Sequence, residues 1–352
     1  MTKPSKTAAG NFFEDFRIGQ KLVHATPRTV NGGDASLYSA LYGTRFAVQS
    51  AETFAQGLGY PKSPIDDLLA FHVVFGKSVP DISLNAVANL GYADGRFLTA
   101  VYPGDTLSAT SEVIGLKENS NKQTGVVYVQ TTGVNQRGET ALRYVRWVMV
   151  RKRDFAAPTP EGVVPKLPSA VSPEALGAAC PRIDVSKYDF ARAGSPFRWG
   201  DYEKGERIDH VDGMTVEEAE HMIATRLYQN TAKVHFNQHS EGQGRFGRRL
   251  IYGGHVISIA RALSFNGLAN AFHVAAINGG RHVAPLFAGD TVYAWSEVLD
   301  NAALPGRDDV GALRVRMVAT KNRPCADFPF KDGDAYDPSV ILDFDVWVLL
   351  PR

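Results

Sequence analysis

The sequence predicts an α+β fold built from two copies of one unit, each an antiparallel sheet around a single helix. Three observations lead to this prediction: a long internal repeat, strand patterns in both copies, and a strongly apolar helix candidate. The chain has 352 residues, which is enough for two domains of ordinary size.

The internal repeat is visible at a nearly constant spacing. Three blocks match in the same order in both copies: 15–49 with 201–235, 95–114 with 280–299, and 142–153 with 342–352. The first match has an offset of 186 and no gap, and the second has an offset of 185. In the second match nine of 20 positions are identical, including a Gly-Asp-Thr triplet. The chain is therefore a duplication.

A change in composition marks the boundary between the copies. Six of the 19 prolines fall between Pro158 and Pro181, in a stretch rich in Ala and Gly. This composition is typical of an extended connector that runs over the surface. We therefore expect a first repeat at 11–153, a connector at 154–196 and a second repeat at 197–352.

Strand patterns occur in both copies. Residues 342–348 alternate between apolar side chains and two aspartates, which predicts a half-buried antiparallel strand. Segments 106–114 (TLSATSEVI) and 126–132 (VVYVQTT) have the composition of strands. The Gly-Asp pair just before the first of these segments is a turn signal.

The helix candidate is clearest in the second copy, at residues 255–265 (HVISIARALSF). Its polar residues recur every three positions and form a narrow stripe on an otherwise apolar cylinder: His255, Ser258, Arg261 and Ser264. A helix this apolar has to be buried, here by a curved sheet wrapped around it. A sheet wrapped around one helix, built twice in one chain, describes a double hot-dog fold.

Composition and charge exclude several classes of protein. The net charge of +1 gives no basic field for nucleic acid or for an anionic membrane surface. No apolar run approaches the ~18 residues of a membrane span, and the first ten residues lack the apolar core of a signal peptide. Cys180 and Cys325 have no spacing suited to zinc. We therefore expect a cytoplasmic protein without nucleic-acid or membrane partners, and the sequence is compatible with a homodimer.

The second copy carries a motif that resembles the MaoC-type hydratase family. QNTAKVH (229–235) is similar to that family's Asp-x4-His segment, and LIYGGHV (250–256) is similar to the glycine element that opens its central helix. Carried over on this resemblance, the catalytic histidine is His235, the aspartate position holds Asn230, and the glycine is Gly254.

The first copy departs from this motif at all three positions. Gln49, Thr44 and Leu68 stand where the second copy has the histidine, the asparagine and the glycine. The arrangement resembles the two-hot-dog eukaryotic-type hydratases, which implies one active half and one silent half that accommodates the acyl chain. His24 and His210 occupy equivalent positions in both copies, which favours a structural role for both.

Several longer phrases resemble the mesaconyl-CoA hydratase family, also called β-methylmalyl-CoA dehydratases: NFFEDFRIGQ, LYGTRFAVQS, FHVVFGKSVPDISLNA, GDTLSATSEVIGLK and YVRWVMVRKRD. The resemblance implies reversible hydration of mesaconyl-CoA, the thioester of methylfumaric acid, to β-methylmalyl-CoA. The partner is then an acyl-CoA thioester. Coenzyme A is part of that substrate, so no separate cofactor is expected.

Hydration of an enoyl thioester requires proton transfer and charge stabilisation. A water near the β-carbon must lose a proton, the α-carbon must gain one, and the thioester oxygen must carry developing negative charge. His235 suits the proton transfers because imidazole titrates near neutral pH. The backbone N–H of Gly254, at a helix start, suits the oxygen. An amide cannot accept a proton, so we expect Asn230 to orient the water, with Glu241 or Asp66 as candidates for a second acid–base group.

Mesaconyl-CoA also carries a free carboxylate, which requires a cation because burying an unpaired charge is costly. Arginine binds a carboxylate through its planar fork. We expect Arg45, beside Thr44 in the silent half, to be this anchor, with Arg226 and Lys77 as alternatives.

Other functions stay open at this point. His235 and His239 are four residues apart and could share a helix face as metal ligands, but no third ligand has a suitable spacing, so no metal is expected. The hot-dog fold also hosts acyl-CoA thioesterases and proteins that only bind thioesters. A thioesterase needs a carboxylate where Asn230 stands, and a silent binder has no need to retain His235 and Gly254. Within the hydratases, the alternative is an (R)-specific enzyme for straight-chain acyl groups.

Overall fold

The computed structural model describes residues 5–352, and its main feature is a ten-stranded antiparallel sheet. The first half contributes β1 (Lys21–Thr29), β2 (Ala86–Phe97), β3 (Thr106–Glu118), β4 (Thr124–Val134) and β5 (Thr140–Arg151). The second half contributes β6 (Arg207–Thr215), β7 (His273–His282), β8 (Thr291–Ala303), β9 (Val310–Lys321), β10 (Lys331–Asp332), β11 (Ala335–Tyr336) and β12 (Val340–Pro351). The strand order is β1-β3-β4-β5-β2-β7-β12-β9-β8-β6, and β10 and β11 form a separate hairpin.

This strand order is one five-strand arrangement present twice, with β2 joined to β7. At the join, Tyr92 pairs with Gly280, and Gly95 pairs with Ile277. At the repeat offset of 185, Ile277 is the equivalent of Tyr92, and Gly280 is the equivalent of Gly95, so each pair is the repeat equivalent of the other. The two halves are therefore related by an approximate two-fold axis at this join.

The first four α-helices of the described chain match α6–α9 of the second half in order and in repeat position. The first half and the connector contain α1 (Gly32–Tyr42), α2 (Ala47–Ser50), α3 (Glu52–Gly57), α4 (Asp67–Ser78) and α5 (Phe190–Ala193). The second half contains α6 (Glu218–Leu227), α7 (Lys233–Phe236), α8 (Gln238–Glu241), α9 (Gly253–Leu263) and α10 (Phe265–Leu268). Every residue of α4 is buried, as is every residue of α9 after Gly253. The predicted double hot-dog is confirmed, and the predicted helix at 255–265 is α9, which begins two residues earlier.

The polar stripe of α9 faces the first half of the chain. Nδ1 of His255 is 2.8 Å from the hydroxyl of Tyr42, and Oγ of Ser258 is 3.0 Å from Nε2 of His72. The hydroxyls of Tyr42 and Tyr228 are 2.7 Å apart. Tyr42 and Tyr228 are repeat-equivalent residues, as are His72 and Ser258, so both pairs lie at the two-fold axis. His255 and Ser258 of the stripe therefore form polar contacts between the two halves.

The two repeated histidines are structural, as their repetition indicates. Nε2 of His24 is 2.7 Å from the hydroxyl of Ser111, and Nε2 of His210 is 2.8 Å from that of Ser296. The other ring nitrogen is also hydrogen-bonded in both cases, to an aspartate in the first half and to a backbone carbonyl in the second.

Residues 154–196 run along both halves. Val163 pairs with Leu116 of β3, and the carbonyl of Val171 accepts a 3.0 Å hydrogen bond from Nε1 of Trp347 in β12. The segment therefore contacts the sheet on both sides of the join. Within residues 5–352, no helix is long and apolar enough to cross a membrane.

Candidate active site

His235 lies in the short helix α7, half-buried beside Tyr252, with ring centroids 5.4 Å apart. Its Nδ1 donates a 2.8 Å hydrogen bond to the carbonyl of Leu250. This bond places the proton on Nδ1 and leaves Nε2 as a free acceptor. Burial lowers the pKa of His235 to about 4, so the imidazole is neutral at pH 7 and can accept a proton.

The start of α9 presents free backbone donors near this histidine. Within the described chain, the N–H groups of Gly253 and Gly254 have no acceptor. On either side, Tyr252 N–H donates to Nε2 of His221, and His255 N–H donates to the carbonyl of Tyr252, both at 2.9 Å. Free N–H groups at the first turn of a helix, together with the helix dipole, stabilise negative charge.

The two glycines are also required by packing. A Cβ atom at Gly253 would overlap the imidazole of His282, and one at Gly254 would overlap the ring of Tyr252. The Gly254 Cβ would also lie 2.6 Å from Cε1 of His72. The absence of side chains therefore lets three rings pack directly against the first turn of α9.

Asn230 is buried just before α7, with 2% of its surface exposed. The preceding residue, Gln229, has a left-handed backbone with φ of 53°, and the Asn230 N–H donates to the carbonyl of Thr225 at 2.9 Å. The side-chain oxygen of Asn230 accepts a 3.1 Å hydrogen bond from the N–H of Ala232. Its amide NH₂ has no acceptor in the described chain, so Asn230 can donate hydrogen bonds to a ligand.

Four further histidines lie near His235, Tyr252 or the first turn of α9, and sequence reasoning did not assign them to the site: His72, His221, His255 and His282. The ring of His221 lies 6.2 Å from that of His235 and 5.5 Å from that of His255. Burial lowers the pKa of His221 to about 2, of His72 and His255 to about 3, and of His282 to about 4. All four are neutral at pH 7.

The repeat contained a signal for three of these histidines. Their equivalents in the first copy are apolar: Ala35 for His221, Leu69 for His255 and Phe97 for His282. A polar residue present in only one copy of a duplication indicates a function that the other copy does not have. This pattern differs from that of the repeated pair His24 and His210.

The equivalent region of the first half has no comparable site. The side-chain oxygen of Asp66 caps α4 and accepts a 2.9 Å hydrogen bond from the N–H of Leu68, the residue equivalent to Gly254. Nε2 of Gln49, the equivalent of His235, donates to the carbonyl of Phe272 at 2.7 Å. The N–H group that is free at Gly254 in the second half is therefore hydrogen-bonded at Leu68 in the first half.

Neither carboxylate expected as a second acid–base group is hydrogen-bonded to the His235 ring in the described chain. Asp66 is the cap of α4 in the first half, where burial raises its pKa to about 6. Glu241 lies in α8 and accepts a 3.3 Å hydrogen bond from the hydroxyl of Ser240. Within residues 5–352, no carboxylate is hydrogen-bonded to His235.

The structure does not place Arg45, the predicted carboxylate anchor, at this site. Its exposed guanidinium lies 4.5 Å from the ring centroid of Phe265, just beyond the C-terminal end of α9. Gly254 is at the opposite end of that helix, which at 11 residues is about 16 Å long. Arg45 is a surface arginine stacked on an aromatic ring.

The structure does bring the two alternatives, Lys77 and Arg226, to the side of Asn230. All three residues line a cavity of about 360 Å³ between the halves. By contrast, His239 lies in α8, outside the helix of His235. No three His, Cys, Asp or Glu residues in the described part of the chain are arranged to hold a metal ion.

Solved structures share this architecture over nearly the whole chain. A Mycobacterium tuberculosis protein described as a double hot-dog matches with a TM-score of 0.74 at 23% identity, covering 98% of this chain and 99% of its own. A putative MaoC domain protein dehydratase from Chloroflexus aurantiacus matches with a TM-score of 0.97 at 64% identity, covering 99% of both chains. The fold is therefore that of the double hot-dog, MaoC-like class.

Sequence relatives narrow this class to one family. The family model described as mesaconyl-CoA hydratase matches residues 2–328. A β-methylmalyl-CoA dehydratase from Chloroflexus aurantiacus is 65% identical over 349 residues, 99% of each chain. A mesaconyl-CoA hydratase from Cereibacter sphaeroides is 59% identical over 350 residues, 99% of this chain and 100% of its own. The chain belongs to the mesaconyl-CoA hydratase family, as its sequence phrases indicate.

Proposed function

We propose that this chain is a hydro-lyase that adds water reversibly to mesaconyl-CoA, giving β-methylmalyl-CoA, at one active site in its second half. The names of relatives 65% and 59% identical over nearly the whole chain support the substrate. One observation carries the location of the site: His235, neutral and with a free Nε2, lies beside a helix start with two free N–H groups.

The residues of this site can share the steps of the reaction. The N–H groups of Gly253 and Gly254 bind the thioester oxygen and stabilise the negative charge that develops there as water adds. Nε2 of His235 removes a proton from the water whose oxygen bonds to the β-carbon. The same nitrogen then delivers that proton to the α-carbon, so the imidazole ends neutral. The amide NH₂ of Asn230 donates a hydrogen bond to the oxygen of the attacking water and orients it.

The first half helps to shape the substrate-binding space and takes no part in proton transfer. The N–H of Leu68 donates its hydrogen bond to the carboxylate of Asp66, and Gln49 has an amide where His235 has an imidazole. The C-terminal end of α4, in contrast, lies against the second half's site, because Gly76 packs on the backbone of Tyr228. The silent half thus forms one wall of the space beside Asn230, where we place the acyl group.

The reaction needs no metal or other cofactor in this scheme, because an imidazole and backbone donors supply the proton transfer and the charge stabilisation. All residues of the proposed site belong to one chain, so a homodimer is not required to complete it. We place the enzyme in the cytoplasm, where the two free, buried thiols of Cys180 and Cys325 are expected to stay reduced.

The direct test is to assay the pure protein, after dialysis against a chelator, with mesaconyl-CoA and separately with crotonyl-CoA. Mesaconyl-CoA should give a product heavier by one water, and faster than crotonyl-CoA does. A preference for crotonyl-CoA would favour a straight-chain hydratase, and release of free CoA would indicate a thioesterase. A loss of activity that one divalent metal restores would contradict the cofactor-free mechanism.

A further inference from the structure

The cavity beside Asn230 is built by both halves of the chain. Its walls include Gly76, Lys77 and Pro80 from the first half and Arg226, Gln229 and Asn230 from the second. α4 approaches this closely because residue 76 has no side chain: a Cβ there would lie 2.9 Å from the carbonyl carbon of Tyr228 and 3.3 Å from the nitrogen of Asn230. The next residue, Lys77, thereby lies in the cavity wall beside Gln229 and Asn230.

The cavity is positively charged. Lys77 and Arg226 line it, and no acidic residue does so within the described chain. Lys77 is only 3% exposed, yet its Nζ donates to the neutral amide oxygen of Gln229, and none of the ion pairs among residues 5–352 includes it. The nearby Arg28 differs, because it forms an ion pair with Asp34 at 2.6 Å.

A buried ammonium without a counter-ion is costly, and an anion in the cavity would offset that cost. Burial lowers the pKa of Lys77 to about 8, and the charge of Arg28 adds to this effect. Lys77 is therefore still mostly protonated at pH 7. A bound carboxylate would raise its pKa again.

Asn230 is suited to the same ligand. Its side-chain oxygen is occupied by the N–H of Ala232, so its NH₂ is the free group. An aspartate at this position would add a negative charge to the cavity wall and repel an anion. The asparagine adds two hydrogen-bond donors and no charge.

We propose that Lys77, from the silent half, binds the second carboxylate of the acyl group, with the amide of Asn230 as a neighbouring donor and Arg226 at the cavity wall. The inference rests on the proposed function. In mesaconyl-CoA this carboxylate is attached to the β-carbon, so it lies beside the position where water adds. The silent half thus supplies the selection for a dicarboxylic substrate.

The test measures binding of two saturated thioesters that cannot be hydrated: methylsuccinyl-CoA and 2-methylbutyryl-CoA, which has a methyl group in place of the carboxylate. Lys77→Met should weaken methylsuccinyl-CoA binding, measured by calorimetry, roughly 30-fold or more. Its binding of 2-methylbutyryl-CoA should change by no more than a factor of about two. Lys77→Arg should recover part of the loss, and the control Arg45→Met should change neither affinity.

The pH dependence gives a second readout. Lys77 faces Arg28 of β1, Arg226 of α6 and the amide of Gln229. Methylsuccinyl-CoA binding should therefore weaken as the pH rises through about 8, where Lys77 loses its charge. Binding of 2-methylbutyryl-CoA should not show this change.

Equal weakening of both thioesters by Lys77→Met would place the lysine on the CoA phosphates or in the fold, and would overturn the proposal. So would unchanged binding of both. Because neither ligand has a double bond, the outcome does not depend on turnover. Failure to hydrate mesaconyl-CoA would refute the proposed function and would leave the binding result interpretable.

Discussion

His210 and His235 are both histidines of the second half, and they differ in how their two ring nitrogens are used. Both nitrogens of His210 are hydrogen-bonded, to the carbonyl of Asn266 at 2.7 Å and to the hydroxyl of Ser296 at 2.8 Å. His235 uses only Nδ1. A histidine with both nitrogens occupied stabilises the fold, whereas one with a free nitrogen can exchange a proton with a ligand.

The pKa of His235 leads to a prediction for the pH dependence of kcat/KM. Since burial lowers this pKa to about 4, the base stays neutral well below its ordinary range. With mesaconyl-CoA, we expect kcat/KM to be flat from pH 7 to 5.5, where an ordinary histidine with a pKa of about 6.5 would already be charged. The measurement is an initial rate within seconds of a pH jump. An acid limb centred near pH 6.5 would contradict the assignment.

At the scale of elements, α4 and α9 are repeat-equivalent helices whose first turns differ. The N–H of Leu68 in α4 is bound by the capping carboxylate of Asp66, whereas the N–H groups of Gly253 and Gly254 in α9 are free. The N–H of Leu68 is therefore not available to a substrate oxygen. The Asp66 cap of α4 is thus one structural difference that separates the silent first half from the second half.

The two glycines of α9 should tolerate no side chain. Gly254→Ala would push the ring of Tyr252 out of place and displace the N–H donors, so kcat should fall by roughly 10²–10³. Because the overlap is with buried rings, the melting temperature should fall as well. The matched control is Gly32→Ala, at the start of α1, where a Cβ would meet nothing within 4 Å. Full activity in folded Gly254→Ala protein would remove this glycine from the site.

On the scale of the whole molecule, the fold could be predicted from the sequence far better than the site. The duplication can be recognised from the constant repeat offset, and the motif around His235 and Gly254 is local, so its resemblance to the family motif is visible in the sequence. The position of Lys77 depends on how α4 crosses the second half, and its partner Gln229 is 152 residues away. The prediction for Arg45 rests on its sequence position alone, whereas the packing places its guanidinium on Phe265, beyond the C-terminal end of α9.

The buried histidines also make the whole molecule sensitive to acid. Burial lowers the pKa values of six of them to between about 2 and about 4: His72, His210, His221, His235, His255 and His282. In the unfolded chain they bind protons below pH ~6.5. Their contribution to stability is therefore fully present above that pH and is lost as the pH falls towards the folded values.

Each of these histidines should add about 1.4 kcal/mol per pH unit to the slope of unfolding free energy between pH 6 and pH 5. His72→Gln should reduce that slope by nearly the full contribution of one histidine, as measured by urea unfolding at several pH values. His239→Gln, at an exposed position, is the control and should leave the slope unchanged. Identical slopes in wild type and His72→Gln would show that the buried imidazoles do not control acid stability.

The central claim is that the duplicated chain has one active site, in its second half, and a matched pair of variants tests it most directly. His235 and Gln49 are repeat-equivalent, and each donates to one backbone carbonyl. The measurement is kcat/KM for mesaconyl-CoA hydration by His235→Ala and Gln49→Ala, each shown to be folded by its melting temperature. We expect His235→Ala to lower kcat/KM by roughly 10²–10⁴, and Gln49→Ala to change it by no more than a factor of about three. Equal impairment of the two variants would contradict the claim.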